Sequence, residues 1–527
     1  MTRRASLSAA VAIVLVSAAA CGSGSEQEST ATRETEASTT APASTTPPST
    51  TPPPGPSAFE AVPCRFQNTT GFQAACGDLS VPEDRSDTDS PTITLHVAVF
   101  KALTSSPAPD PIVYLDGGPG VATLEFVSFG FDDVFLPYLQ DRDVVFFDQR
   151  GVGLSEPSLA CPEVVEVTKE ILDVGPTVDE AVDRELEAWE ACRDRLLAEG
   201  VDLATYNSAA SAADVADLQR ALGYESWNLL GGSYGSRLAL TVMRDAPDGL
   251  RAAILDSVYP PHRSLIEEAP ASFDRALDLL FESCADDGVC AVEHPELRER
   301  LFALVDRLDA DPVEVSILDV FDGTTLDVSL DGTALISLVG WGLHSPDDIA
   351  VIPRMIDEIE FGDDTIVSEL GSNLLALLGI GSGGMASSVQ CHEEVPFSTP
   401  EGYAAAIEPF PEFSEFFAGR LDVGPAVFEL CELWPAGFGG DIENEPVTSD
   451  LPALVLAGQF DPATPPSWGR SATETLTNSY FFEFPAMGHG ASLHECPQSM
   501  AVEFLQNPTT EPDSSCIADM PTIAFAA

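Results

Sequence analysis

From about residue 92 onward, short apolar runs bounded by turn residues recur along the chain. Thr92 to Ala102 alternates apolar and polar positions, which predicts a half-buried strand. Pro111 to Asp116, Val144 to Asp148, Trp227 to Leu230, Ala252 to Asp256, Leu454 to Ala457 and Tyr480 to Phe484 are near-continuous apolar stretches. Such stretches suit strands of a mostly parallel sheet covered on both faces. Between them, Ala212 to Leu222 and Ser236 to Arg244 carry helical spacing, so strand and helix alternate as in a doubly wound α/β fold. From about Pro260 to Val447 the strand alternation lapses, and Phe273 to Cys284, Pro295 to Leu308 and Asp347 to Ile359 read as helices. The expected organisation is a sheet-forming part at 59–259, an inserted, mainly helical cap at 260–447 and a closing sheet-forming part at 448–527. No internal repeat of roughly 20 to 50 residues is present, which excludes solenoids and propellers.

The first 58 residues follow a different grammar. Arg3 and Arg4 precede the small, apolar run Ala9 to Ala20, and Ala18, Ala19 and Ala20 lead into Cys21. This reads as a secretory signal at 1–20 whose removal leaves Cys21 at the N-terminus. The stretch resembles a bacterial lipoprotein signal, and the resemblance implies a diacylglycerol on the Cys21 thiol. A plain signal peptide with an incidental cysteine and a twin-arginine signal are the competing readings. A spanning helix would need about 20 apolar residues, more than the run supplies. Residues 21–58 form a linker, because seventeen of the twenty residues from Ser38 to Ser57 are Ser, Thr or Pro and cannot build a core. The expected location is the outer face of a bacterial cytoplasmic membrane, with the lipid anchor as the only membrane contact.

Charge narrows the partners. The 527 residues include 24 Lys plus Arg against 85 Asp plus Glu, a net charge of −61, which excludes a nucleic-acid partner. A content of 44% hydrophobic and 21% charged residues excludes global disorder. Beyond Cys21 there are ten cysteines, Cys64, Cys76, Cys161, Cys192, Cys284, Cys290, Cys391, Cys431, Cys496 and Cys516, an even number that points to five disulfides in an oxidising compartment. Pairing sequence neighbours is the simplest connectivity, with the short Cys284 to Cys290 loop the most secure, and the others stay open. There is no CxxC pair and no finger-spaced histidine, so neither a metal nor a cofactor is expected.

The candidate chemistry lies at strand ends. Gly231-Gly232-Ser233-Tyr234-Gly235 follows one predicted strand and precedes a predicted helix. A serine in G-x-S-x-G at such a junction sits on a tight turn with its hydroxyl projecting from the sheet, a nucleophile's position. Asp461 follows the strand Leu454 to Ala457 and is the candidate orienting carboxylate. His489, in Ala486-Met487-Gly488-His489-Gly490, is the candidate general base. His494 competes for that role but lacks flanking glycines. The order Ser, Asp, His is that of α/β-hydrolases. Asp116-Gly117-Gly118-Pro119-Gly120 ends an early strand and can turn the Gly118 N–H, or that of Gly117, toward the nucleophile to form an oxyanion hole with the Tyr234 N–H. Asp148-Gln149-Arg150-Gly151 reads as a buttress, and Thr464 as a brace for the Asp461 loop.

GGPG at 117–120, DQRGVGLS at 148–155, GGSYGS at 231–236, FDPATP at 460–465 and GHG at 488–490 together resemble the proline iminopeptidase and tripeptidyl aminopeptidase family of serine peptidases, in its exported actinobacterial lipoprotein branch. The resemblance runs from about Cys64 to Cys516. It implies an α/β-hydrolase fold with a cap, and a peptide substrate with a free N-terminus from which residues or short peptides are released. It also places Cys391 and Cys431 where exported members carry a cysteine pair in the cap. Binding a free amine requires an anion, for which the resemblance offers Glu393, with Glu394 and Glu432 as neighbours. The residue before the glycines is Asp116, where histidine is frequent in iminopeptidases.

Two further readings use the same residues differently. A carboxylesterase or lipase would work through the same Ser, His and Asp. A non-catalytic surface-binding lipoprotein would be marked by loss of one of them, and all three are present.

Overall fold

The computed structural model describes residues 58–127, 131–321, 323–378 and 381–526. The signal at 1–20, Cys21 and the linker up to residue 57 lie outside the described residues. Among the described residues, nine strands form one sheet in the order β1-β2-β3-β5-β4-β6-β7-β10-β11, and two form a hairpin, β8-β9. The strands are β1 Ala58–Ala61, β2 Ala74–Pro82, β3 Thr92–Phe100, β4 Ile112–Leu115, β5 Val144–Phe147, β6 Trp227–Gly232, β7 Leu250–Asp256, β8 Val313–Leu318, β9 Thr325–Leu330, β10 Ala453–Gly458 and β11 Ser479–Phe484. From β5 to β11 neighbours run parallel, while β1, β2 and β3 add an antiparallel edge. Strand order reverses between β4 and β6, the switch point at which the carboxyl ends of a parallel sheet open a crevice.

Strands β4, β5 and β10 are apolar at every position because both faces are covered. In β4 and β5, Val113, Leu115, Val145 and Phe147 join the core beneath helices Ser208–Leu222 and Tyr234–Asp245. Ile112, Tyr114, Val144 and Phe146 point the other way, onto Phe131, Phe135 and Tyr138. The two-residue period of a strand sorts each run between these cores. For β3 the structure corrects the half-buried expectation. All of its residues except Thr92 and Thr94 are buried, since Leu95, Val97 and Val99 enter one core while Ala98 and Phe100 enter the other. The polar His96 is tolerated there because its Nδ1 lies 2.7 Å from Asp78 Oδ1.

Between β7 and β10 lie helices Leu265–Asp286, Leu297–Ala310, Gly332–Gly342, Pro346–Phe361, Thr365–Leu378, Gly383–Glu393, Pro400–Ile407 and Ala426–Leu433. Leu297, Leu301, Leu304 and Leu308 recur at three- and four-residue steps, which aligns them on one face toward a separate core with Phe273, Leu277, Leu335 and Ile352. The hairpin β8-β9 packs on the same core through Val315 and Ile317. Disulfides join Cys64–Cys76, Cys161–Cys192, Cys284–Cys290, Cys391–Cys431 and Cys496–Cys516, a pattern of oxidising compartments. No helix among the described residues is long and apolar enough to cross a membrane.

A buried ionic joint fastens the inserted segment to the sheet domain. Arg237, on helix Tyr234–Asp245, places Nε 3.2 Å from Glu393 Oε2 and Nη1 3.0 Å from Glu394 Oε2, with all three side chains at most 5% exposed. Its Nη2 donates to the carbonyls of Glu393 (3.1 Å) and Glu443 (3.3 Å), and the Tyr259 ring centroid lies 4.8 Å from the guanidinium. Removing one partner of such a pair leaves an uncompensated buried charge. Arg237→Met is expected to lower unfolding free energy by about 3–5 kcal/mol, read by urea denaturation; a loss near zero would show that the joint carries little of the fold.

Candidate active site

The turn after β6 is tight. Ser233 has φ 55° and ψ −127°, a conformation strained for any residue but glycine. It is held by its own N–H, which donates to the Asp256 carbonyl at 3.0 Å, and by Ser236, whose hydroxyl donates to the Ser233 carbonyl at 2.6 Å. Gly235 must be glycine, because a Cβ there would stand 1.8 Å from the Leu115 carbonyl oxygen of β4. Tyr234 is the first helical residue, so its N–H has no partner within the helix. Its side chain turns away, its hydroxyl lying 2.9 Å from Ser208 Oγ.

The loop after β4 runs alongside. A side chain at Gly117 would begin 3.0 Å from Ser233 Cβ and 3.6 Å from its Oγ. The Gly117 N–H donates to Asp116 Oδ1 at 2.8 Å, whereas the Gly118 N–H has no protein partner among the described residues. Gln149 Nε2 donates to the Asp116 carbonyl at 3.1 Å, and Asp148 accepts from the N–H groups of Leu124 (2.9 Å) and Leu154 (2.7 Å). Burial pushes the Asp116 carboxyl up to about 6 and the Asp148 carboxyl up to about 7.

Asp461 and His489 come from the ends of β10 and β11. Asp461 Oδ1 accepts from the N–H groups of Ala463 (2.9 Å) and Thr464 (2.8 Å). Its Oδ2 accepts from Thr464 Oγ1 at 2.7 Å and lies 2.8 Å from His489 Nδ1. Burial alone would raise the Asp461 carboxyl, but the charge and hydrogen bond of His489 outweigh it and bring it down to about 2. Burial likewise depresses His489, and the Asp461 carboxylate more than offsets it, so the ring stands above its ordinary range. With Nδ1 on the carboxylate, Nε2 is the ring nitrogen left for a substrate proton. Ser233 Oγ is not hydrogen-bonded to His489; such bonds commonly tighten only when substrate is bound. His494, the competing candidate from the sequence, is not bonded to Asp461.

Asp256 escaped the sequence analysis. From the end of β7 it accepts the N–H groups of Ala491 (3.1 Å) and Ser492 (2.7 Å), while Ser257 Oγ accepts the Gly490 N–H at 2.8 Å. The turn that follows His489 is thereby fixed. A signal was present: Leu115-Asp116, Phe147-Asp148 and Leu255-Asp256 all close apolar strands with an aspartate that then organises a loop. A hydroxyl on a strained turn, an imidazole on a carboxylate and free N–H groups are the set required for acyl transfer.

Residues 110–288 match the family of the alpha/beta hydrolase fold, and residues 422–516 match the family of TAP-like proteins. The chain is an α/β-hydrolase. Its curated relatives include serine protease Hip1 of Mycobacterium tuberculosis, 24% identical over 505 residues that cover 86% of this chain and 90% of the relative. Carboxylesterase B of the same organism is 25% identical over 477 residues, covering 84% and 86%. Tripeptidyl aminopeptidase of Streptomyces lividans is 32% identical over 199 residues, 36% of each chain.

In this α/β-hydrolase Glu393 and Glu394, offered above for a substrate amine, face Arg237. Both carboxylates are buried as counter-ions of Arg237; Glu393 also accepts the Ser208 N–H, and Glu394 accepts that of Leu265 at 2.7 Å. Glu432 is exposed and makes no ion pair among the described residues.

A carboxyl pushed from 3.8 up to about 7 is more readily protonated folded than unfolded, so its stabilising share is complete below 3.8 and is lost as pH rises through about 7. Relative to the parent hydrolase, Asp148→Asn is therefore expected to gain melting temperature between about pH 4 and about pH 7. Thermal melts of both proteins check this, and a difference independent of pH would contradict it.

Proposed function

We propose that the chain is an exported, lipid-anchored serine exopeptidase that releases residues or short peptides from free N-termini. Ser233 attacks the scissile carbonyl, and His489 Nε2 takes the hydroxyl proton while Asp461 fixes the opposite ring nitrogen and stabilises the imidazolium. The N–H groups of Gly118 and Tyr234 receive the tetrahedral oxyanion. His489 returns the proton to the leaving amine, and water, deprotonated by the same ring, releases the acyl group from Ser233. The observation that carries this reading is the 2.8 Å His489–Asp461 pair together with a serine held at φ 55° on the turn after β6.

The peptide substrate is supported by the relatives named serine protease and tripeptidyl aminopeptidase, together with the TAP-like match at 422–516. Five disulfides support export, and Cys21 is the proposed lipidation site. With Glu393 and Glu394 bound to Arg237, Glu432 is the remaining acid of the three for a substrate ammonium. The carboxylesterase name on a relative matched over 84% of this chain favours a second reading, an esterase using the same groups.

Chromogenic amides of single amino acids, dipeptides and tripeptides, each with a free or acetylated N-terminus, separate the two. Cleavage confined to free N-termini is expected, whereas cleavage of simple esters with every amide left intact would make the chain an esterase. Ser233→Ala is expected to lower turnover by about a thousandfold or more without changing the melting temperature, and hydrolysis retained by that variant would rule out this nucleophile. Because Asp461 holds His489 up, the acidic limb of kcat/KM is expected above 6.5, measured on any cleaved substrate.

A further inference from the structure

Both loops that carry the imidazole–carboxylate pair are gripped by the segment between β7 and β10. Arg275, on helix Leu265–Asp286, donates from Nη1 to the Gln459 carbonyl at 2.7 Å and from Nη2 to the Asp461 carbonyl at 2.5 Å. In a chain with 85 acidic residues this guanidinium makes no ion pair among the described residues, and its buried Nε has no partner. A half-buried cation whose hydrogen bonds go to two main-chain carbonyls rather than to a carboxylate is costly to keep for packing alone. His344, just past helix Gly332–Gly342, accepts the His489 N–H on its carbonyl at 2.9 Å. Its ring stacks on Trp341 at 5.3 Å and meets the His489 ring edge-on at 5.5 Å. The His344 Nδ1–H donates to the carbonyls of Gly340 (3.0 Å) and Trp341 (3.1 Å), which locks the ring.

We propose that Arg275 is a positioning residue for the reaction, holding the Asp461 loop from the inserted segment while His344 holds the His489 loop opposite it. The proposal rests on the reading of Ser233, His489 and Asp461 as the acyl-transfer groups. Arg275 holds the main chain of Asp461 while His489 holds its carboxylate. The charges facing His489 are Asp461 after β10 and Asp256 on β7, with Arg275 behind the Asp461 main chain; His344, pushed down to about 4 by burial and by His489, stays neutral near pH 7 and does not compete for the proton. Arg275 itself faces Asp461 and, on β11, Glu483. Its positive charge opposes protonation of His489, so losing it moves the His489 titration upward.

The test uses the full chain, with a fluorophosphonate that labels the nucleophilic serine and bypasses peptide recognition. Labelling rates are followed against pH for the parent, Arg275→Gln and Arg275→Lys, with circular dichroism to verify folding. Arg275→Gln is expected to label about ten- to a hundredfold more slowly, with its acidic limb moved upward. Arg275→Lys, which keeps the charge but cannot span both carbonyls, is expected to restore the limb position and only part of the rate. A purely structural role would slow labelling without moving the limb, and that outcome, or parent-like labelling by folded Arg275→Gln, overturns the proposal. If Arg275→Gln does not fold, Arg275 belongs to the fold and the proposal fails. Failure of the underlying reading would look different: the parent would not be labelled, or Ser233→Ala would be labelled as fast as the parent.

Discussion

The close passage of the helix behind Ser233 over the backbone of β4 is the constraint from which the site follows. Gly235 lets the helix lie against the Leu115 carbonyl, and the same contact brings the loop leaving β4 beside the serine hydroxyl. Ser233 and the free N–H groups thus come from adjacent parallel strands at the switch point. The imidazole arises three strands away from β6, and Asp256 spans the gap. Its carbonyl takes the Ser233 N–H, while its carboxylate takes the turn after His489. One residue therefore sets the spacing between two loops that share no direct hydrogen bond.

The cations of this acidic chain are concentrated at structural joints. Arg150 binds Asp214 through two contacts of 2.7 and 2.8 Å and also reaches the carbonyls of Glu83 and Thr205, tying the end of β2 to the approach to helix Ser208–Leu222. Arg142 links Asp110, before β4, to the carbonyl of Leu505 in the last helix. Each joint serves several acceptors at once, a task for the planar fork of arginine and not for the single ammonium of lysine. Only Lys101 and Lys169 are lysines among the basic residues, in keeping with that use.

Much of the sheet was legible because its central strands are short, apolar and bounded by turn residues. Of the antiparallel edge only β3 was, from the alternation in Thr92 to Ala102. In β2, Ala74–Pro82 mixes Cys76, Gly77, Asp78 and Ser80 with only a few apolar positions, and its identity as a strand comes from pairing with β3 along nine residues. The hairpin β8-β9 carries a readable alternation in Val313–Leu318, but it is short and lies among helices. In the site, the serine, acid and histidine were readable because glycines and strand ends mark them. Arg275, His344 and Asp256 were not, since they act through main-chain groups far away in sequence, and no local spacing encodes such partners. The pairing of Glu393 and Glu394 with Arg237 was hidden for the related reason that a buried counter-ion one turn past Ser233 cannot be foreseen from the acids themselves.

Because the loops of Asp461 and His489 are each hydrogen-bonded to residues 260–447, that segment is not a module that can be exchanged freely. A chimera receiving the corresponding segment of another hydrolase would inherit its walls but would lose the main-chain contacts at Gln459, Asp461 and His489. Divergence is accordingly freer in stretches remote from those contacts, such as the β8-β9 hairpin with its exposed Leu318, Val320 and Phe321. Recombination that respects this architecture would keep the helix Leu265–Asp286 and the turn at His344 with the sheet domain, placing its crossover points inside the inserted segment and away from its ends.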